Sequence, residues 1–326
     1  MGYMTPNVRA LRTLQIEFGW PLRIDGAAAM MWLRTMTEPA PPIDYVQRWR
    51  DLISARREQH DAACAAQGRT TDDYWARRAE GFRKFVQEAG KQADPFIDCI
   101  LKQLRPEDSV LDVGAGTGRH TVALAGHAKH VTALDPAGAM LKFLREDIDS
   151  QSLDNVDVIE GGWPEAAANA PRVDVIVSEH VLYPIEDVVS FLKAFDGQAE
   201  RLCFLHLMTW QPWFDQIQLW EAVHGEARQP QPTYIDVVNV LRQLGCFANV
   251  EIAWTEMPRS FADIDDAMER FSESIAVGDD EERSARLRAA LQQQLTPTPD
   301  GRLSMPERRY PLATVWWEAG ALRSGT

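Results

Sequence analysis

The run Val110-Leu111-Asp112-Val113-Gly114-Ala115-Gly116-Thr117-Gly118 has the composition of a ligand-binding turn. Apolar residues end in a carboxylate, three glycines alternate, and a helical pattern begins. Without a Cβ, the backbone there can lie close against a ligand. A helix start behind it offers N–H groups and the positive end of a dipole. A second strand pattern closes in Asp135, which has two readings. It can accept both hydrogen bonds of a ribose diol, a reading its spacing from Asp112 favours, or it can cap the helix that opens at Ala137. A dinucleotide loop would read G-x-G-x-x-G, and the position of its third glycine is Arg119 here. A carboxylate at Asp112 repels a pyrophosphate and suits an ammonium, so an aminoacyl group fits the loop better.

The segment Ser178-Glu179-His180-Val181-Leu182-Tyr183 follows a later strand, at the edge of the sheet where ligands bind in open α/β folds. His180 is the candidate general base, with Glu179 behind it. The alternative is a structural histidine. Tyr183 is a weaker site candidate. Trp210, Trp213 and Trp220 cluster with Phe214 and read equally as an apolar or cation-binding substrate pocket and as core packing. His206 alternates with Leu205 and Leu207, which reads as a buried, hydrogen-bonded histidine. Trp316 and Trp317 read as core.

The elements that must position these residues alternate from Asp94 onward. Strands are predicted at Ser109–Val113, His130–Leu134, Val156–Ile159, Val173–Val177 and Leu202–Leu207. Helices are predicted at Thr117–Gly126, Ala137–Ile148 and Glu186–Phe195. Such alternation implies a parallel sheet covered on both faces. Asp94-Pro95 is a helix start with proline at the first helical position. Further on, Tyr234–Leu244 reads as a helix stopped at Gly245, Val250–Trp254 as a strand, Phe261–Ile275 and Asp280–Leu295 as inserted amphipathic helices, and Tyr310–Trp317 as the last strand. Residues 1–90 read as helix and loop. The expected organisation is an N-terminal helical extension or lid over 1–90 and an α/β domain over 91–326, with inserted helices at about 261–295.

These motifs resemble the class I, Rossmann-like S-adenosylmethionine-dependent methyltransferases of the small-molecule type. The resemblance implies a seven-stranded, mostly parallel sheet flanked by helices, with the helical insertion before the last strand. It implies S-adenosyl-L-methionine as cofactor and S-adenosyl-L-homocysteine as product. The loop residues Asp112, Gly114, Ala115, Gly116 and Gly118 match the motif that wraps the methionine part, and Asp135 the residue that holds the ribose. Pro136, Met140 and Ser178 come with those motifs as cofactor contacts. Glu160-Gly161-Gly162-Trp163-Pro164 takes the place of the motif beside the adenine, where members often carry an acid at the position of Gly162. Tyr74-Trp75-x-x-Arg78-Ala79-Glu80-x-Phe82 is similar to an aromatic helix that covers the cofactor, with Trp75 its contact.

Composition narrows the class further. The chain has 326 residues, is 45% hydrophobic, and carries a net charge of −14. An acidic balance disfavours a nucleic-acid partner, since phosphate neutralisation dominates such binding. No run of 18 apolar residues is present, so no membrane span is expected. Cys64, Cys99, Cys203 and Cys246 form no C-x-x-C pair, which points to reduced thiols in a cytoplasmic protein and to no metal site. A natural start at Met36 competes with Met1. The expected function is methyl transfer to a small molecule. The alternatives are a non-catalytic cofactor-binding module, a non-methyl transferase using the same cofactor, and a nucleotide-dependent oxidoreductase.

Overall fold

Strands of Val, Leu and Ile that alternate across a pleat bury both faces only if helices cover both. The computed structural model takes that arrangement. It describes residues 43–66, 79–84, 86, 94–210, 214–256, 260–306 and 309–322. Asp44–Thr326 pack as one unit. The elements are α1 (Tyr45–Ala65), α2 (Pro95–Leu101), β1 (Ser109–Val113), α3 (Arg119–Ala125), β2 (His130–Asp135), α4 (Gly138–Gln151), β3 (Val156–Glu160), β4 (Val173–Glu179), α5 (Val188–Gln198) and β5 (Ala199–Met208). After them come α6 (Phe214–His224), α7 (Tyr234–Gln243), β6 (Asn249–Glu256), β7 (Ser260–Phe261), α8 (Ile264–Ser272), α9 (Glu281–Gln294), β8 (Thr296–Pro297), β9 (Leu303–Ser304) and β10 (Arg309–Glu318).

The main sheet has seven strands in the order β3-β2-β1-β4-β5-β10-β6. The first five pair in parallel, and β10 runs antiparallel between β5 and β6. This is the seven-stranded, mostly parallel sheet that the sequence implied. The chain order reverses between β1 and β4, so their C-terminal ends flank a crevice. Alternation assigns the two faces. Leu111, Val113, Ile176, Leu205, Leu207 and Val315 pack with Phe191 and Phe195 of α5 and with Val237 and Leu241 of α7. Val110, Val175, Val177 and Phe204 pack with Phe96 of α2 and Leu124 of α3 on the opposite face.

The inserted helices form a second core of their own. Leu287 and Leu291 of α9 meet Met268 and Phe271 of α8 and Leu219, Trp220 and Val223 of α6. The small sheet β7-β9-β8 closes this region. Its two-residue strands carry no readable period, and the sequence reading contained neither them nor α6. Among the described residues, no helix is long and apolar enough to cross a membrane.

One buried carboxylate fastens the end of the chain. Asp196 of α5 is fully buried and accepts hydrogen bonds from Trp317 Nε1 (3.0 Å) and from the backbone N–H of Gly320 (3.0 Å) and Leu322 (3.3 Å). Asp196→Ala orphans those donors, and unfolding in urea should show a loss of about 3 kcal/mol. An unchanged midpoint would mean that water replaces the carboxylate at no cost.

Candidate active site

The glycine loop is built by tight packing. Gly114 has φ of +77°, and a Cβ added to it would lie 2.1 Å from a methyl group of Val181, the residue after His180. The loop and the segment after β4 therefore touch at that point, and only glycine permits it. The N–H groups of Gly114 and Ala115 donate to the carbonyl of Leu134 (2.7 and 3.1 Å), tying the loop to β2. Asp135 finishes the job. Its carboxylate accepts from the N–H of Gly116 (2.9 Å) and of Ala137 (2.8 Å). Asp135 thus ties down the residue before α4 and braces the loop, with lone pairs left over for a ligand. Burial raises its carboxyl above the ordinary value, and the two backbone hydrogen bonds oppose that.

Period-two logic places the polar groups of the sheet. Glu179 stands in register with His206 of β5, and His206 with Thr314 of β10. Asp112, Glu179, His206 and Thr314 share the face covered by α2 and α3, where Asp112 is buried under a 2.6 Å hydrogen bond from Thr121 Oγ1. Burial raises the Asp112 carboxyl, against His120 and Thr121. Into this face come Asp94, the cap of α2, and Arg119 and His120, the first turn of α3. Arg119 reaches Asp94 at 2.8 Å and Glu179 at 3.9 Å. His120 Nε2 lies 3.1 Å from Asp94 and 3.4 Å from Glu179. In the sequence alone Asp94 reads as a helix cap and Arg119 as the residue that breaks a dinucleotide motif. The missed signal is two basic residues in the first turn of a helix. They oppose its dipole, so they need carboxylates nearby.

The electrostatics sort these groups into two kinds. Burial works against charge throughout. It would lower His120, yet Glu179 and Asp94 hold that imidazole above its ordinary value. It would raise Glu179, yet the positive charge facing it holds the carboxyl at about 2. Asp94 is likewise held well below the usual carboxylate range, against burial, by the His120 hydrogen bond and by the charges of His120 and Arg119. His206 is pushed down to about 3, chiefly by burial. Burial lowers His180 as well, with Glu179 partly opposing. At neutral pH the cluster thus holds His180 and His206 neutral, with Arg119 and His120 facing the carboxylates of Glu179 and Asp94.

His180 stands at the mouth of the crevice in a left-handed conformation, φ +56°, with its N–H donated to the carbonyl of His206 at 3.0 Å. Such a backbone is uncommon outside glycine and is held only by surrounding structure. Its Nδ1 is 3.3 Å from Tyr183 Oη, and that hydroxyl accepts from the N–H of Met208 at 2.8 Å. The Tyr183 oxygen has a second lone pair that can accept from Nδ1–H, the tautomer that fixes the ring and leaves Nε2 without a proton. Nε2 lies 3.7 Å from Glu179, too far for a hydrogen bond, and is buried without a partner. Thr117 Oγ1 in the loop is likewise buried without a partner. Unpaired buried groups are costly, so each of the two atoms is suited to receive a ligand's polar group.

The remaining predicted residues divide. Ser178 is buried and donates to the carbonyl of Val113 at 2.8 Å, locking β4 to β1 below the loop. Met140 is buried in the first turn of α4, Pro136 is exposed, and Gly162 is half-buried. Trp163 lies in the core, its indole N–H donating to the carbonyl of Phe191 at 3.3 Å. Trp210 is 68% exposed. Trp75 and Trp213 fall outside the described residues. Phe82, in the helical segment 79–84, faces the loop, 3.7 Å from where a Gly116 Cβ would be. Arg83 fastens that segment to α4 through Glu146 (3.0 Å) and Asp147 (3.1 Å), over the ring of Phe143. Among the described residues, no group of His, Cys, Asp and Glu is arranged to hold a metal.

Comparison with known proteins adds the following. Residues 110–196 match a family described as a methyltransferase domain. A protein-L-isoaspartate O-methyltransferase of a Polaromonas species is 37% identical over 93 residues, covering 26% of this chain and 38% of that protein. A probable ribosomal RNA small subunit methyltransferase A of Methanosarcina acetivorans is 32% identical over 98 residues, covering 29% and 35%. The chain thus spans well under half the length of either relative. A magnesium protoporphyrin IX methyltransferase of Synechocystis, solved with S-adenosylhomocysteine bound, is 14% identical, covers 89% of this chain and 94% of its own, and has a TM-score of 0.38. The archaeal relative corrects the expectation that a nucleic-acid partner is excluded. Net charge sums the whole chain, whereas phosphate contacts are local, so −14 excludes nothing of the kind.

Proposed function

We propose, from the premise that residues 110–196 are a class I S-adenosylmethionine-dependent methyltransferase domain, that this chain transfers a methyl group to a hydroxyl or amine of a small molecule. The observation that carries the reading is the unpartnered Nε2 of a neutral His180 beside the glycine loop. A hydroxyl or ammonium acceptor must lose a proton, and a fixed imidazole with an open nitrogen is suited to take it.

The residues present fit the cofactor. Gly114 has no room for a Cβ, Thr117 Oγ1 lacks a partner, and Asp135 retains acceptor capacity at the end of β2. When bound, S-adenosylmethionine supplies a methyl group already activated on a sulfonium. The chain's own residues then have three tasks. Asp135 and the loop hold the ribose and the methionine part. Phe82 and the 79–84 segment exclude water. His180 Nε2 would take the proton that the acceptor's oxygen or nitrogen loses on methylation. Positioning supplies most of the acceleration in such a displacement. We assign the chain to the cytoplasm on its four buried free thiols.

The test is a panel of hydroxyl and amine acceptors, with a structured RNA included, scored for S-adenosylhomocysteine release and for acceptor mass gain. The reading predicts both products in equal amount from at least one small acceptor. Cofactor binding without S-adenosylhomocysteine from any acceptor would support the non-catalytic alternative instead.

A further inference from the structure

Strand β6 is an edge of the seven-stranded sheet, and its outward side has no strand partner among the described residues. Its sequence alternates, and one face holds Val250, Ile252 and Trp254. Their register partners on β10 are Val315, Ala313 and Pro311, of which Val315 and Ala313 are fully buried. The β6 residues are 40%, 49% and 58% exposed, and Phe247 just before the strand is 81% exposed. On the same side, Ile235 of α7 is 46% exposed. A long apolar edge with open hydrogen-bonding groups is what folded proteins normally cover or charge. Scattered surface leucines need no explanation, but a contiguous patch does.

We propose that β6 pairs antiparallel with β6 of a second copy of this chain, joining the two sheets across a two-fold axis at Ile252. Register and charge select that occupant. With Ile252 opposite itself, Val250 faces Trp254 of the other copy twice over, Asn249 faces Thr255, and Glu251 faces Ala253. Sliding two residues one way sets Glu251 against Glu251, and two the other way sets Val250 against Glu256. A slip of one residue puts apolar side chains against polar ones on both faces. Only the Ile252 register joins all three apolar pairs with no like charges opposed. The edge is also locally neutral in a chain of net charge −14. Glu251 is paired with Lys102 at 2.6 Å, and Glu256 with Arg309 at 3.6 Å. Two copies can therefore approach here without the repulsion expected elsewhere. The same two-fold axis puts the α7-covered faces of the two sheets on one side of the dimer. An isologous contact of this kind closes on itself and stops at a dimer. The inference stands apart from the methyltransferase reading, since none of these residues belongs to the candidate site.

Sedimentation at tens of micromolar tests it on the full chain. The wild type should run at twice the 36.8 kDa chain mass. Ile252→Lys places two like charges on the axis and should raise the dimer dissociation constant about thirtyfold or more. Far-UV circular dichroism and the thermal midpoint at low concentration should not change, because Ile252 is half-exposed in the monomer. Ile252→Cys, added to four buried native thiols, should form an intermolecular disulfide under mild oxidation, since either antiparallel pair type brings the two Cα atoms within bridging range. Thr255→Cys should not. A monomeric wild type overturns the proposal and leaves the edge to a different protein. A dimer that survives Ile252→Lys and gives no Ile252→Cys cross-link overturns it in favour of another surface.

Discussion

Gly114→Ala abolishes turnover and weakens cofactor binding by a factor of at least about 100. The added methyl group would sit 2.1 Å from Val181 Cγ2 and 3.3 Å from two further Val181 carbons. Val181 is branched at Cβ and follows a residue in a left-handed conformation, so it has little freedom to turn away. The alanine itself must also hold φ of +77°, which costs roughly 1–2 kcal/mol in an L-residue. The clash is relieved only by moving the loop off β2 or His180 off the crevice, and either movement breaks the site. Gly126→Ala is the matched control. Gly126 has φ of −73°, and an added Cβ there meets nothing closer than a carbonyl oxygen at 3.8 Å. Calorimetry and initial rates on both variants check the prediction. Equal cofactor affinity in the two would show that the loop does not contact the ligand.

His180→Asn lowers turnover by a factor of about 10² to 10⁴ and leaves cofactor affinity within about threefold. Asparagine tolerates the left-handed backbone that His180 occupies, so the variant removes the imidazole without straining the turn. The pH profile distinguishes a base from a merely structural ring. Burial disfavours the charged imidazole, so His180 binds its proton only below the ordinary value of 6.5. Turnover of the wild type should hold from neutrality down through that value and fall as pH drops further and the ring protonates. The residual rate of His180→Asn should lack that acid limb. An acid limb unchanged in the variant would assign it to another group and remove His180 from proton transfer.

The sheet and the cofactor loop were legible because both depend on local pattern. The alternating runs at Ser109–Val113 and Tyr310–Trp317 mark strands wherever they lie in the chain, and the loop glycines follow at once from a strand-to-helix turn. The charged cluster was not legible. Asp94, Arg119, His120 and Glu179 come together only because α2 and α3 start against the same sheet face, which no spacing along the chain records. Helix α6 was hidden by its own composition. Its aromatic residues read equally as a ligand pocket and as core packing, and Trp220 is fully buried in the second core and stacked on His224 at 4.0 Å. Alternation misleads in one place. In β6 it marks the strand correctly, but the apolar face it would bury lies in solvent. Among the described residues nothing covers that face, which a second copy would supply.

The most direct test of the central claim is calorimetric titration of S-adenosylmethionine and S-adenosylhomocysteine into the wild type and into Asp135→Ala. Asp135 closes β2 and braces Gly116 of the loop. The account predicts binding of both ligands to the wild type at one site per chain, and loss of both in the variant, which should stay folded with a lowered thermal midpoint because the N–H groups of Gly116 and Ala137 lose their acceptor. Failure of the wild type to bind either ligand, or equal affinity in Asp135→Ala, would contradict it.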